Sequence, residues 1–404
     1  MGDSVFGISV HHVGGRAGSR AYPCFNWLEP AIENVLYDAD PSCLEQIRQR
    51  WGGACVVLPH CVGGSRATAD FHLTYDRYGS SLLTCLPEYD DCHIYSKQFS
   101  FDYDPVSHQT ASVVPVTLQT LDDLFEQGGA EAGPPHFLSM DTEGSEYDIL
   151  LGASRLLRTS IHGVYTEFHF LRRFTAQKSL QDLDDLLHES GFVLIDVKQS
   201  KGLYMPVCRP IGLRDQGTVG CGEALFLKIP ARIVQDHPNP RLALLQAGMT
   251  ALAFGHFEWC LRYLDAWVQQ DGLRWLAECT VPVPDYVAVL QGIVRTVQNY
   301  PPVTPLRFTD LFKTPQRAAA RFSVPRAADN EPPATPSPLG LRTEYLTRLG
   351  LSVESFRAQA ELLQSERYFG VEEILNILGM TDLANTIRED RLQQIKALLQ
   401  RLGF

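Results

Sequence analysis

His136–Ala153, HFLSMDTEGSEYDILLGA, is the stretch that decides the fold. His136–Met140 has the apolar character of a buried strand and runs straight into Asp141. Thr142, Glu143 and Gly144 then make a tight turn, and Ser145–Leu157 reads as a helix. A carboxylate at the carboxyl end of a strand, followed by a turn and a helix, is how open α/β sheets build ligand crevices. Glu146 and Asp148 fall in the first helical turn, where negative charge suits the helix dipole. Asp141 and Glu143 need a further reason, because they stand where a strand end faces a bound ligand.

Working outward, the chain alternates strand and helix signals to about residue 230, which predicts a mostly parallel sheet with helices on both faces. Val5–Val10 reads as a buried strand leading into a turn that holds Gly14, Gly15 and Gly18, where backbone can approach a nucleotide-like ligand closely. Asn34–Tyr37 is a second strand ending in Asp38. An acid there, roughly 20 residues after the glycine turn, suits a hydrogen bond to ribose hydroxyls; the alternative is a cap for the helix Ser42–Trp51. Ala54–Pro59 is a third strand, and Val62–Leu83 a hairpin-like excursion. Thr117–Leu124 reads as a helix start capped by Asp122 and Asp123. Gly163–Phe170 is a strand that places Glu167 and His169 on one side. Ser179–Ser190 is an amphipathic helix stopped by Gly191. Phe192–Val197 and Ala224–Ile229 complete the sheet, with a long loop between them.

The string Met140-Asp141-Thr142-Glu143-Gly144-Ser145-Glu146, followed by Leu150-Leu151-Gly152-Ala153, resembles the signature of the FkbM-type family of S-adenosylmethionine-dependent methyltransferases. The resemblance extends over residues ~1–230 and implies a Rossmann-like class I methyltransferase sheet with S-adenosyl-L-methionine as cofactor. The family's glycine turn is kept at Val13, Gly14 and Gly18. It departs at His12, where the family has an acid, and at Arg16, where it has an asparagine. Tyr37-Asp38-Ala39 is a near match to the family's phenylalanine-glutamate-proline, and Gly79-Ser80-Ser81-Leu82 resembles its stretch at the active-site mouth. On this resemblance Gly14, Gly15, Gly18, Asp38 and Asp141 hold the cofactor. Asp141, Glu143 and His169 serve catalysis, and Glu167 and Ser81 meet the substrate. The implied reaction is O-methylation of a hydroxyl on a sugar, glycan or polyketide-type small molecule. A competing use of Asp141, Glu143, Glu167 and His169 is to hold a divalent cation.

Composition bounds these readings. The 404 residues are 45% hydrophobic and 20% charged, an ordinary balance for a globular protein. A net charge of −12 argues against a nucleic-acid partner. No apolar run approaches the ~20 residues that span a bilayer, and no export signal is visible, so the expectation is a cytoplasmic protein whose ten cysteines are reduced thiols. Strand signals stop near residue 230. The expected domains are therefore 1–232, the methyltransferase sheet, and 233–404, a helical region interrupted by a proline-rich linker at 324–338. Those C-terminal helices could carry a homodimer contact. An alternative reading makes the whole chain a catalytically inactive methyltransferase-like module that binds partners through them. A nicotinamide-dependent Rossmann enzyme fits less well, since the glycine turn lacks the full GxGxxG pattern.

Overall fold

The computed structural model describes residues 5–14, 28–38, 54–75, 77–86, 93–94, 110–126, 132–204 and 218–298, with scattered positions between 22 and 49 and between 381 and 389. Its strands are β1 (Ile8–Val13), β2 (Ile32–Tyr37), β3 (Cys55–Leu58), β4 (Cys61–Val62), β5 (Ala67–Thr74), β6 (His93–Ile94), β7 (Thr110–Gln119), β8 (Phe137–Met140), β9 (Gly163–His169), β10 (Phe192–Tyr204) and β11 (Thr218–Lys228). The main sheet has the order β3-β2-β1-β8-β9-β11-β10-β6. β1, β2, β3, β8 and β9 pair in parallel. β11 runs antiparallel to both β9 and β10. Setting aside the two-residue edge strand β6, the seven strands numbered in chain order read 3-2-1-4-5-7-6 with the seventh reversed. That is the class I methyltransferase arrangement. β1 sits at its switch point, flanked by β2 and β8, where an α/β sheet opens a crevice.

All six residues of β1 and all four of β8 are buried, as expected for strands covered on both faces. The Ser145–Leu157 helix divides in two, α2 and α3. To name the helices in order, α1 is Leu121–Glu126, α2 is Glu146–Leu151, α3 is Ser154–Thr159 and α4 is Leu180–Glu189. The break falls at Gly152, where an added Cβ would sit 2.2 Å from the Gly63 carbonyl oxygen. α3 then restarts under an external cap, since Asp122 accepts from the Arg155 and Leu156 amides at 2.7 and 3.0 Å. Asp122 therefore caps α3 rather than its own helix; Thr120 supplies the cap of α1 through the Asp123 amide at 3.0 Å. α4 matches its reading, with Ser179 and Asp182 forming a reciprocal capping box, Leu183 and Leu187 buried, and Gly191 at φ +86° beyond its end.

Three boundaries shift. β1 begins at Ile8 and runs through His12 and Val13, so the histidines lie inside the strand and not in the turn. β7 extends through Gln119 and absorbs Thr117–Gln119. β10 and β11 are longer than read, which shortens the connection between them. The Val62–Leu83 excursion becomes a second sheet of order β4-β7-β5.

The helices that follow are α5 (Pro230–Asp236), α6 (Pro240–Ala253), α7 (Phe257–Gln269), α8 (Gly272–Ala277) and α9 (Asp285–Gln298). α6 and α7 form a helical hairpin, broken by Gly255 at φ +86°. The change of character at 233 does not separate bodies, because Met1–Leu290 forms one compact unit and Gln291–Phe404 another. α6 is buried from Ala243 to Ala253, as a helix apolar all round must be. Its Gln246 donates to the Gly7 carbonyl at 2.6 Å, and Tyr286 of α9 donates to the Phe6 carbonyl at 2.9 Å. Leu242–Leu290 thus completes the core of the sheet unit. The expected linker at 324–338 lies outside the described residues, as does the rest of 299–404 apart from helical positions at 381, 382, 385, 388 and 389. Among the described residues no helix is long and apolar enough to cross a membrane.

Candidate active site

The crevice opens at the carboxyl ends of β1, β2 and β8. The Asp141 amide donates to the Val13 carbonyl at 3.0 Å, and the Gly14 amide to the Tyr37 carbonyl at 3.2 Å, so the three strand ends are tied level. Gly14 has φ +82°, and a Cβ there would lie 1.9 Å from the Asp141 carbonyl oxygen. Only glycine lets β1 turn away this close to β8. The cleft that results has about 560 Å³ of free space, and its lining includes Gly14, Tyr37, Asp38, Phe71, Arg77, Tyr78, Ser80 and Asp141. Asp38 stands at its edge, and its charge reinforces the effect of burial in pushing the Cys61 thiol up to about 12. Gly15, Gly18 and Arg16 lie outside the described residues.

His12 does not take the role of the acid it replaces. It is buried within β1, and its Nδ1 is 2.8 Å from Ser139 Oγ on β8. Burial lowers its pKa to about 4, so the ring is neutral near pH 7. His11 is likewise internal, with Nδ1 2.7 Å from the Tyr37 hydroxyl.

The turn after Asp141 is held from within. Glu146 is buried, and its Oε1 accepts from the Thr142 amide and hydroxyl, both at 2.9 Å, and from the Gly144 amide at 3.3 Å. Burial raises its pKa, while the hydrogen bonds from Thr142 and Gly144 work against that rise. Glu143 adopts φ +55°, an unusual conformation for a residue with a Cβ. Ser81 supports it, donating to the Glu143 carbonyl at 2.7 Å and accepting from the Leu83 amide at 3.0 Å. Ser81 is 1% exposed, and with both bonds made it braces the turn. Its neighbour Ser80 is the serine that lines the cleft.

Behind Asp141 lies a pocket of charge. Glu143 Oε2 is 3.8 Å from His169 Nε2 and 3.7 Å from Arg173 Nη1. One ligand-capable atom from each of Glu143, Glu167 and His169 lies within 4.8 Å of the others. Asp141 faces the open cleft, yet the protein around its carboxyl raises its pKa, the Glu223 charge adds to the rise and a hydrogen bond with Glu167 opposes it. Glu167 is pushed well above the usual carboxylate range by burial first, then by the charges of Glu143 and Asp141. Across the sheet Glu223 is the register partner of Glu167 and accepts from the Tyr165 hydroxyl.

The structure therefore joins Asp141, Glu143, Glu167 and His169 in one pocket and places Gly14 and Asp38 on the adjoining cleft. Arg173, Glu223, Arg77 and Tyr78 escape a sequence reading. Glu223 is found only once β11 is known to pair with β9, and Arg173 only once its loop folds back over Glu143.

Residues 50–194 match the family model for the methyltransferase FkbM domain, a span that includes the Asp141 turn. The matched region begins beyond Gly14 and Asp38. No curated protein sequence matches the chain. Solved structures similar to it include a TehB-like S-adenosylmethionine-dependent methyltransferase from Corynebacterium glutamicum, at 10% identity, covering 55% of this chain and 80% of that one with a TM-score of 0.26. Another is the magnesium protoporphyrin IX methyltransferase of Synechocystis PCC 6803 with bound S-adenosylmethionine, at 10% identity, 55% and 70% coverage and a TM-score of 0.26. Similarities this distant add nothing to what the sheet order itself says.

Proposed function

We propose that the chain is an S-adenosylmethionine-dependent methyltransferase acting on a hydroxyl of a sugar, glycan or polyketide-type small molecule. The observation that carries this reading is the close packing of Gly14 on Asp141. It brings a glycine turn, the β2 acid Asp38 and the signature turn of the matched FkbM domain onto one cleft. The cofactor fits the donor set of that cleft. Its sulfonium and ammonium are cationic, and the cleft would meet them with the Asp141 carboxylate. Its carboxylate would meet Arg77, and its adenine the aromatic side chains of Phe71 and Tyr78. Bound there, it supplies an electrophilic methyl group.

The chain's own residues do the rest. Asp38 hydrogen-bonds the ribose hydroxyls. Asp141 faces the cleft and orients the acceptor for in-line attack. The proton of the acceptor hydroxyl passes toward Asp141, whose raised pKa suits a general base better than an ordinary carboxylate. The test is methyl transfer from labelled cofactor to a panel of hydroxylated acceptors. Asp141→Ala should lower the rate at least a hundredfold, in line with loss of a positioned acid–base group; an unchanged rate together with unchanged cofactor binding contradicts the reading.

His12 favours a second reading, a sheet retained for binding without chemistry. The acid that the resembled family carries there is replaced by a neutral ring turned into the core. The two readings part on whether the cofactor binds at all.

A further inference from the structure

We propose that Glu143, Glu167 and His169 form a binding site for a divalent cation of the manganese or zinc type. Among the described residues this is the one group of three acidic, histidine or cysteine side chains whose donor atoms converge, all lying within 4.8 Å of one another. A cation bonded at about 2.0–2.4 Å to each of two donors holds them up to roughly 4–5 Å apart, which is the span found here. The 3.8 Å between His169 Nε2 and Glu143 Oε2 is too long for a hydrogen bond and suits two ligands of one ion.

Independently, Glu167 Oε2 has essentially no solvent exposure and no hydrogen-bond partner. A buried carboxylate oxygen left unmatched is costly, and it lies within the converging group. The charge balance points the same way. Asp141, Glu143, Glu167 and Glu223 surround the pocket, and Arg173 is the permanent cation placed against it. The Arg173 guanidinium lies 3.7 Å from Glu143 and over the Phe174 ring. Two carboxylates with one imidazole are a borderline donor set, which favours manganese or zinc over calcium.

The site stands without any claim about the reaction. Its use rests on the methyltransferase reading: next to Asp141, a cation would bind and acidify an acceptor hydroxyl.

The experiment is calorimetric titration of the chelator-treated full chain with manganese chloride alone at neutral pH, paired with pulsed electron paramagnetic resonance of the bound manganese. One site should appear, with nitrogen coupling from one imidazole in the wild-type protein. Glu167→Gln, which is isosteric, should weaken binding at least tenfold, and His169→Gln should remove the nitrogen coupling. Absence of a stoichiometric site overturns the proposal, as do bound manganese without nitrogen coupling and an unchanged affinity in Glu167→Gln. The spectroscopic readout needs no variant to fold. A parallel titration with S-adenosylmethionine keeps the two claims apart: metal binding without cofactor binding sinks the methyltransferase reading and leaves this site, and the converse does the opposite.

Discussion

Two residues decide whether the cleft exists. Gly14 takes φ +82° against the Asp141 carbonyl. Alanine there pays roughly 1–2 kcal/mol for the left-handed backbone before any clash is counted. The 1.9 Å approach must also be relieved by moving β1 from β8. Gly14→Ala should therefore lose cofactor affinity by at least tenfold and lower the melting temperature, both read from one set of thermal shifts with and without S-adenosylmethionine. Unaltered affinity would mean that the turn is not part of the binding surface. Asp38 is the other residue. Both were legible in the sequence because each is a residue type with a fixed job at a strand end. His12 was legible as a departure but not as a buried partner of Ser139, since a strand boundary placed at Val10 hid that it lies inside β1. Sequence distinguishes poorly between a serine that faces a cleft and its neighbour that braces the wall.

At the scale of elements, the Asp141 turn works because its neighbours fix it from several sides. Glu146 gathers the turn's amides, Ser81 takes the Glu143 carbonyl, and Gly152 lets the α2–α3 junction press on the Gly63 carbonyl. Asp122 holds α3 across a gap in sequence that no local pattern reveals. Removing it strips two amides of their acceptor. Asp122→Ala should cost about 1–2 kcal/mol, the usual range for a lost N-cap, measured as a shift in the urea midpoint without change of slope. A loss near zero would show that α3 is held by its apolar face alone. That the sheet is mostly parallel could be anticipated from alternating strand and helix signals. The second sheet could not, because β4 and β7 pair across a long insertion whose register depends on non-local contacts.

At the scale of the whole molecule, the sheet is closed on one side by helices that composition alone assigned elsewhere. A layer of histidines marks that junction. The Ser9 amide donates to His136 Nδ1 at 3.0 Å, so this nitrogen must be unprotonated, and the ring stacks on His162 at 6.0 Å. Burial, aided by the charge of His237, lowers the His136 pKa to about 4. The unfolded chain takes up that proton near pH 6.5. Between pH 6.5 and 4 the unfolded state thus binds more protons, and the stability present above pH 6.5 is lost as pH falls. For a single group the slope is at most about 1.4 kcal/mol per pH unit. His136→Gln removes this group, so urea unfolding at pH 7 and pH 5 should show the wild type losing about 2 kcal/mol more than the variant over those two units. Parallel losses would place His136 in contact with solvent.

The central claim is that the cleft between Gly14, Asp38 and Asp141 binds S-adenosylmethionine. Calorimetric titration of the full chain with S-adenosylmethionine and S-adenosylhomocysteine tests it most directly, beside the same titration of Asp38→Ala. The account predicts micromolar binding of both ligands by the wild type and its loss in the variant. A folded wild-type protein that binds neither, or an Asp38→Ala variant that binds as well as its parent, would contradict it.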